Sequence, residues 1–582
     1  MAPSSKRWQI APSAPRSQLA RFPDLHPLIV QVLYNRGIID PEAVSAFLEG
    51  EGDDVNPFAM PGMNKAVSRI RRALRRDEPM AVYGDFDADG ITATALLTQT
   101  LEALGGRVRP YIPDRVEEGY GLNDEALETL AEAGVGLVVT ADCGVRAVHE
   151  VATANQLGLD VVVTDHHSVG SRLPDAVAVI DPKRDGRGSR GGAKGSFDGL
   201  AGVGVAYRLA QALLRSHRQT PVNHREVSLR AEDLLDLVAL GTVADIVRLR
   251  GENRQLVRRG LERINGMERP GLLALCRQAG LKRGAVDSTA IGYVLGPRLN
   301  AAGRLGDAEA AYRLLVTSDP AEAERLAVKL DALNRERQRL TREAHARARQ
   351  MVLEAEGDGL VLFAAAPDFL PGIVGLVASR LLDEFYRPTV VVEMGEGISR
   401  GSCRSIDRFH ITRALEACDD LLIRYGGHAA AAGFQVANEN LEALEERLRG
   451  IAADQLRDED LTPVLAADAE APLSAMSWDL LEALSTLEPC GCDNQQPVFV
   501  SRAVRVQRHR AVGREGRHLK LSLSDGGVTY DAIAFRQGAW AAHLPPVIDL
   551  AYHLELNEWR GRRSLQLNVQ DIRPAGAERA DG

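Results

Sequence analysis

Between residues 80 and 247 the chain alternates short apolar runs with longer stretches of helical character. The runs lie at 80–83, 108–112, 135–140, 161–164 and 177–180, and the stretches at 91–104, 125–133 and 145–157 read as helices. Short buried strands separated by helices predict a doubly wound parallel α/β sheet. Residues 63–76 read as an amphipathic helix leading into the first strand. A second α/β unit begins at 359, with strands at 359–364 and 389–393. Between the two units, Leu326, Leu330, Leu333, Leu340 and Met351 recur at helical spacing among charges, with no Pro or Gly from Ala321 to Glu356. This predicts one helix roughly 50 Å long, a rigid connector. From Pro497 the period shortens to that of strands (498–500, 504–507, 518–523, 530–535, 547–556, 564–569), which predicts a small barrel of five to six strands. The chain then divides into an N-terminal helical extension (1–60), an α/β domain (61–318), the connecting helix (319–356), a second α/β domain (357–455), an acidic linker (456–495), a barrel (496–574) and a disordered tail (575–582).

Composition changes this picture little. No apolar run approaches the roughly 18 residues that span a bilayer, so no membrane association is expected. The basic, Pro/Ser-rich start lacks the apolar core of a secretory signal. The six cysteines are scattered, and only Cys490 and Cys492 are close; reduced thiols in the cytoplasm are the simplest account. The net charge of −10 argues against a nucleic-acid binder until its distribution is considered. Residues 452–493 are strongly acidic, whereas 501–563 are rich in arginine, and a basic face on an acidic chain can hold a phosphate backbone. A basic barrel of this size is expected to be an OB-fold, with Tyr530, Phe535, Trp540, Tyr552 and Trp559 as candidate stacking platforms.

The candidate chemistry sits at the carboxyl ends of the strands. Asp85, Asp87 and Asp89 occupy alternate positions after the first strand, where an extended backbone points them to one side. Asp142 follows the third strand, Asp165-His166-His167 the fourth, and Asp245 ends a continuous apolar stretch broken by Gly241. Each alone has an ordinary reading as a helix cap, a buried histidine or a helix-end residue. Together, so much unpaired negative charge at one sheet edge would be costly without cations, and hard oxygen ligands point to two divalent metal ions, Mn²⁺ or Mg²⁺. The segment 296–304, GPRLNAAGR, reads as a loop: Pro297 sets a turn, Gly296 and Gly303 permit close approach, and Arg298, Asn300 and Arg304 can reach phosphates. Taken alone, a surface turn with solvated arginines explains it better. Gly-rich turns with Ser402, Arg404 and His428 likewise suit an oxyanion.

DFDADG at 85–90, TADCG at 140–144, DHH at 165–167 and ALGTVAD at 239–245 resemble the DHH phosphoesterase superfamily. YIPDR at 111–115, EGYGL at 118–122, LAGVGVA at 200–206 and GPRLNAAGR narrow this to its bacterial single-strand-specific 5′→3′ DNA exonucleases. The second unit resembles the accompanying DHHA1 domain, except that Phe369-Leu370 stands where Trp-His is usual. The resemblance covers nearly the whole chain. It implies a DHH-type parallel α/β domain joined by a long helix to a DHHA1 domain and followed by the OB barrel. It implies a metal set of Asp85, Asp87, Asp89, Asp142, His166 and Asp245, and a catalytic trio of Asp165, His166 and His167. Asp165 would orient the histidines, and His167 would contact the phosphate or assist protonation. Arg298, Asn300, Arg304, Ser402, Arg404 and His428 would hold the strand and its 5′ end. The implied activity is degradation of single-stranded DNA to mononucleotides in recombination and repair. A single-strand-binding protein and a recombination or repair helicase are the implied partners. The basic side of the connector (Arg335, Arg337, Arg339, Arg342) would be open to DNA contact, and a groove too narrow for a duplex would lie between the two α/β units. Two other readings are a DHH phosphodiesterase acting on short oligonucleotides or cyclic dinucleotides, whose proteins lack the barrel, and a non-catalytic single-strand-binding scaffold, whose relatives lose the metal carboxylates.

Overall fold

The computed structural model describes residues 6–50, 55–115, 118–184, 199–355, 359–559 and 561–576. The first α/β domain is built on a five-stranded parallel sheet. Its order is Val108–Tyr111, Met80–Tyr83, Leu137–Thr140, Asp160–Thr164, Ala178–Ile180. Every residue of Met80–Tyr83 and Leu137–Thr140 is buried, which is why these strands read as unbroken apolar runs. The chain leaves Met80–Tyr83 toward one neighbour and returns on its other side. The switch point therefore lies between the strands that deliver Asp85 and Asp142, where open α/β sheets bind ligands. Helix Ala88–Ala103 packs on helices Gly202–Gln219 and Leu235–Ala244. The apolar stretch before Asp245 is that last helix, buried on nearly all sides, with Asp245 as its C-cap.

The connector is one helix, Pro320–Glu354, with 35 residues and a length of about 52 Å at 1.5 Å per residue. Asp319 caps it by accepting from Ala321 N at 3.0 Å. It packs on helices Pro270–Gln278, Gly296–Arg304 and Ala308–Val316 of the first domain, and on helix Val374–Phe385 and strand Leu362–Ala366 of the second. The second sheet has the order Leu422–Gly427, Ala431–Ala437, Ile398–Arg404, Thr389–Glu393, Leu362–Ala366, antiparallel except for its last pair. The C-terminal unit is a closed barrel of Phe499–Val512, His518–Ser524, Thr529–Ala534, Arg562–Pro574 and Val547–Trp559, sealed by antiparallel pairing of the first and last. Among the described residues no helix is long and apolar enough to cross a membrane.

Three expectations change. Residues 296–304 form a helix, Gly296–Arg304, with Pro297 in its first turn, where a missing N–H does no harm. Gly303 serves close approach as expected, since a Cβ there would lie 2.0 Å from Phe86 O. The acidic linker is a structured bridge. Strand Val464–Ala467 pairs in parallel with Arg7–Ile10, Ala469–Glu470 pairs with the barrel, and helix Trp478–Ser485 packs on Pro27–Asn35. Most of its acids face outward while Leu465, Leu473, Met476, Leu480 and Leu487 are buried, a pattern that the charge sum conceals. The N-terminal extension accordingly opens with a strand. Buried Trp8 donates to Asp571 Oδ2 at 2.7 Å, with the Arg573 guanidinium 4.3 Å from its ring. Elsewhere on the bridge, buried Arg254 of the first domain donates to the carbonyls of Phe47, Thr486, Leu487, Glu488 and Pro489. Most of the expected tail, 577–582, lies outside the described residues.

Candidate active site

The first acidic motif is a turn into a helix and not one extended segment. Asp85 lies in the turn after the strand. Asp87 is the N-cap of Ala88–Ala103, its Oδ1 accepting from Asp89 N at 2.9 Å and Gly90 N at 3.0 Å. Asp89 sits in the first helical turn and accepts from Gly202 N (2.7 Å) and Val203 N (2.9 Å) at the start of helix Gly202–Gln219, where the helix dipole favours an anion. Asp142 is held in the left-handed region (φ 67°) against Gly202, where a Cβ would come 2.4 Å from its Oδ1. Neighbouring elements thus press five carboxylates together with backbone constraints that a longer side chain at Gly202 would break.

The ligand atoms fall into overlapping groups, each within 4.8 Å: Asp89, His166 and Asp245; Asp85, Asp87 and Asp142; and Asp142 with His166 and His167. His166 Nε2 lies 3.1 Å from Asp142 Oδ1, 3.5 Å from Asp245 Oδ2 and 3.9 Å from Asp89 Oδ2. Burial, then the neighbouring carboxylates, pushes the acids up: Asp89 to about 7, and Asp85, Asp142 and Asp245 well above the ordinary range. Burial and the adjacent His167 bring His166 down to about 3, so its ring is neutral. Asp85 Oδ1, Asp142 Oδ1 and His166 Nε2 are buried without a hydrogen-bond partner. Buried polar atoms left unpaired are expensive, and an oxygen-rich set with one neutral imidazole fits hard divalent ions.

His167 is held differently. Its Nδ1 lies 2.8 Å from Asp165 Oδ1 and 3.0 Å from the Tyr120 hydroxyl. Burial works against its charged form, but the Asp165 hydrogen bond and charge outweigh it and the pKa is raised. Asp165 also accepts from the backbone N–H groups of Val145, His166 and His167, which fixes it below the cluster as a carboxylate.

Opposite the acids lies a group of arginines. Arg304 is pushed down to about 9 by burial and by Arg115, Arg337 and Arg404. The carboxylates that face Arg115 are Asp85 and Asp87 of the cluster. Arg304 donates to Gly372 O at 3.0 Å, which joins the two α/β domains. Arg404, on strand Ile398–Arg404, donates to Cys403 O (2.7 Å) and Ser402 Oγ (3.2 Å). His428 is exposed and feels the charges of Lys183, His167 and Arg146 across the interface. Arg304 thus lies within reach of the charges of Arg115, Arg337, Arg404 and Asp87 of the acid cluster, and Ser402 is tied to Arg404. Asn300 supports the acid cluster from behind, its Oδ1 accepting from Ala88 N at 2.8 Å. Arg298 is engaged by Asp331 of the connector (Nε–Oδ1 3.0 Å) and by Val294 O. Sequence reasoning assigned no role to Tyr120, Arg115 or Lys183 and left Arg337 as one of four connector arginines. Of the pair that stands where Trp-His is usual, Phe369 is buried against the Val374–Phe385 helix and Leu370 is exposed.

A parallel sheet with acids and a DHH sequence at its switch point, capped by a second α/β domain that supplies cations, defines a DHH-type phosphoesterase. Comparison with known proteins agrees: the DHH family N-terminal domain matches residues 79–242, the DHHA1 domain 358–454 and the RecJ OB domain 467–571. The single-stranded-DNA-specific exonuclease RecJ of Bacillus subtilis is 37% identical over 98% of this chain and 71% of its own length. That of Dickeya dadantii is 37% identical over 95% and 97%. The crystal structure of Thermus thermophilus RecJ in complex with Mn²⁺ superposes with a TM-score of 0.82 at 31% identity, covering 97% of this chain and 79% of that one; its Mg²⁺ complex gives 0.76 at 29%, covering 97% and 78%. The chain belongs to the RecJ family of single-stranded-DNA-specific exonucleases.

Proposed function

We propose that this protein removes mononucleotides from the 5′ end of single-stranded DNA by metal-dependent hydrolysis. The observation that carries the reading is the buried acid–histidine cluster, with its unpaired oxygens and nitrogen, facing an arginine group assembled from both α/β domains. Asp85, Asp87 and Asp142 would hold one divalent ion and Asp89, His166 and Asp245 a second. When bound, such ions stabilise charge on the scissile phosphate and make an attacking water more acidic. The chain's own groups do the rest. Arg115, Arg304 and Arg404, with Ser402 and His428, hold the terminal phosphate as charge-assisted donors. Asp165 fixes His167 so that its ring faces the phosphate and can pass a proton to the 3′-oxygen that leaves. Water attacks phosphorus, the bond to that 3′-oxygen breaks, and a 5′-mononucleotide is released. A terminal-phosphate cradle beside the cleavage centre supports 5′→3′ polarity.

The barrel supports a long strand as substrate in preference to a dinucleotide. An enzyme confined to single strands needs strand separation upstream, so a recombination or repair helicase and a single-strand-binding protein in the cytoplasm are the proposed partners. The test uses one single-stranded DNA labelled at either end, and its blunt duplex, with Mn²⁺, Mg²⁺ or EDTA. Early mononucleotide release from the 5′ label alone, absent with duplex or EDTA, is expected. Release from the 3′ label first would refute the polarity.

A further inference from the structure

The helix Gly296–Arg304 is fastened along its length to three parts of the molecule. At its start Arg298 forks onto one oxygen of Asp331 in the connector, with Nε 3.0 Å and Nη2 2.9 Å from Oδ1. In its middle Asn300 accepts from Ala88 N, and Gly303 lies so close to Phe86 O that a Cβ would meet it at 2.0 Å. The helix is thereby pressed against the turn that carries Asp85, Asp87 and Asp89. At its end Arg304 donates to Gly372 O of the second domain. Asp331 is 3% exposed and stands on the buried seam of the connector. Before it that seam is apolar, with Ala323, Leu326, Ala327 and Leu330 buried; the next buried positions are Asp331, Asn334 and Thr341. Asp331 Oδ2 also accepts from Gln278 Nε2 at 3.3 Å and pairs with the exposed Arg335 at 2.6 Å. Asn334 accepts from Arg337 Nη2 at 2.9 Å. A buried ion pair is a poor source of stability, because desolvation offsets the attraction; its best-attested use is to fix register.

We infer that Asp331 is a positioning residue: through Arg298 it sets the register of the connector on helix Gly296–Arg304, and so the spacing between the acid cluster and the cations of the second domain. The inference rests on the proposed hold on a terminal phosphate and names what spaces its parts. Arg304 stands on the helix that Arg298 begins, whereas Arg404 stands on the domain that the connector carries through helix Val374–Phe385 and strand Leu362–Ala366. A slip of the connector by one helical turn would shift Arg404 by about 5.4 Å relative to Arg304. Two guanidinium groups that converge on one phosphate do not survive such a shift. The acids all belong to the first domain and keep their places. The pair therefore acts on the phosphate-bearing end of the strand and not on the turnover step.

The test compares 5′-phosphorylated and 5′-hydroxyl single strands of one sequence, in Mn²⁺. Arg298→Met/Asp331→Leu replaces both buried charges by apolar side chains and is expected to keep or raise the thermal midpoint. It should raise KM for the 5′-phosphorylated strand about tenfold or more, with kcat within about twofold of wild type, and leave the 5′-hydroxyl strand unchanged. Arg298→Lys keeps the buried charge but loses the fork; the same selective loss at smaller size is expected, and this variant decides the matter if the double variant does not fold. A preference for the 5′ phosphate that is unchanged in the folded variants, or losses of equal size on both strands, would overturn the positioning inference alone. A wild-type protein that cleaves both strands with no preference for the 5′ phosphate would overturn the proposed hold on the terminal phosphate, and the inference with it.

Discussion

The two walls of the proposed site, the acid cluster and the arginine group, are made in opposite ways. The acid wall comes from one domain, from turns and helix ends at one sheet edge, and its groups are pinned by backbone: Asp87 and Asp89 by helix N–H groups, Asp165 by three more. The cation wall comes from four separate places: Arg115 after the second strand, Arg304 at a helix end, Arg337 on the connector and Arg404 in the second domain. Charge is fixed by backbone at the proposed ion site, and gathered from both domains at the proposed site for the strand end. The acid wall is self-repelling without ions; the cation wall is self-repelling without a phosphate. Each wall is thus completed by a ligand.

The largest effect should come from the acid wall. Asp142→Asn is expected to cut turnover at least about a thousandfold and to raise the thermal midpoint in EDTA, because it removes one buried charge from the crowd. Turnover and melting on the same preparation check this, and a lowered midpoint would mean that the carboxylates support the fold. On the cation wall, Arg304→Ala should weaken use of a 5′-phosphorylated strand by roughly 10- to 100-fold, the loss of charge-assisted bonds of about 1.5–3 kcal/mol. A strand lacking the 5′ phosphate should lose far less; equal losses would place Arg304 elsewhere on the path. Between the walls, Asp165→Asn should lower activity or metal affinity by about 10- to 100-fold through His167 and the cluster's support.

These walls also differ in how far the sequence exposes them. Asp85, Asp87, Asp89, Asp142, His166 and Asp245 lie in short motifs at strand or helix ends, and the periodicity of 80–180 places all but Asp245 at one edge. The arginine wall depends on a domain interface that periodicity does not contain, so Arg115 carried no assigned role and Arg298 was assigned to the substrate while Asp331 holds it. GPRLNAAGR reads as a loop because two glycines and a proline usually break helices. Here Pro297 occupies the first helical turn and Gly303 is needed for contact with Phe86. In the acidic stretch, charge masked a buried apolar pattern.

The smallest expected effect concerns pH. Burial and Asp87 hold Asp89 at about 7, against an ordinary value of 3.8. A raised carboxyl pKa stabilises the fold fully below the unfolded value, and that contribution is lost as pH rises through the folded one. The melting temperature of metal-free protein should therefore fall between about pH 4 and 7, and Mn²⁺ should remove much of that fall. Protons compete with the ion, so Mn²⁺ affinity should weaken as pH drops below about 7. Titration at three pH values checks it; an affinity that rises on acidification would place the ion outside these carboxylates.

The most direct test is anomalous scattering at the manganese edge from crystals of the protein with Mn²⁺ and a 5′-phosphorylated single strand. The account expects two peaks, one among Asp89, His166 and Asp245 and one among Asp85, Asp87 and Asp142, with the terminal phosphate against Arg115, Arg304 and Arg404. No peak in the cluster, or a terminal phosphate bound on the barrel, would contradict it.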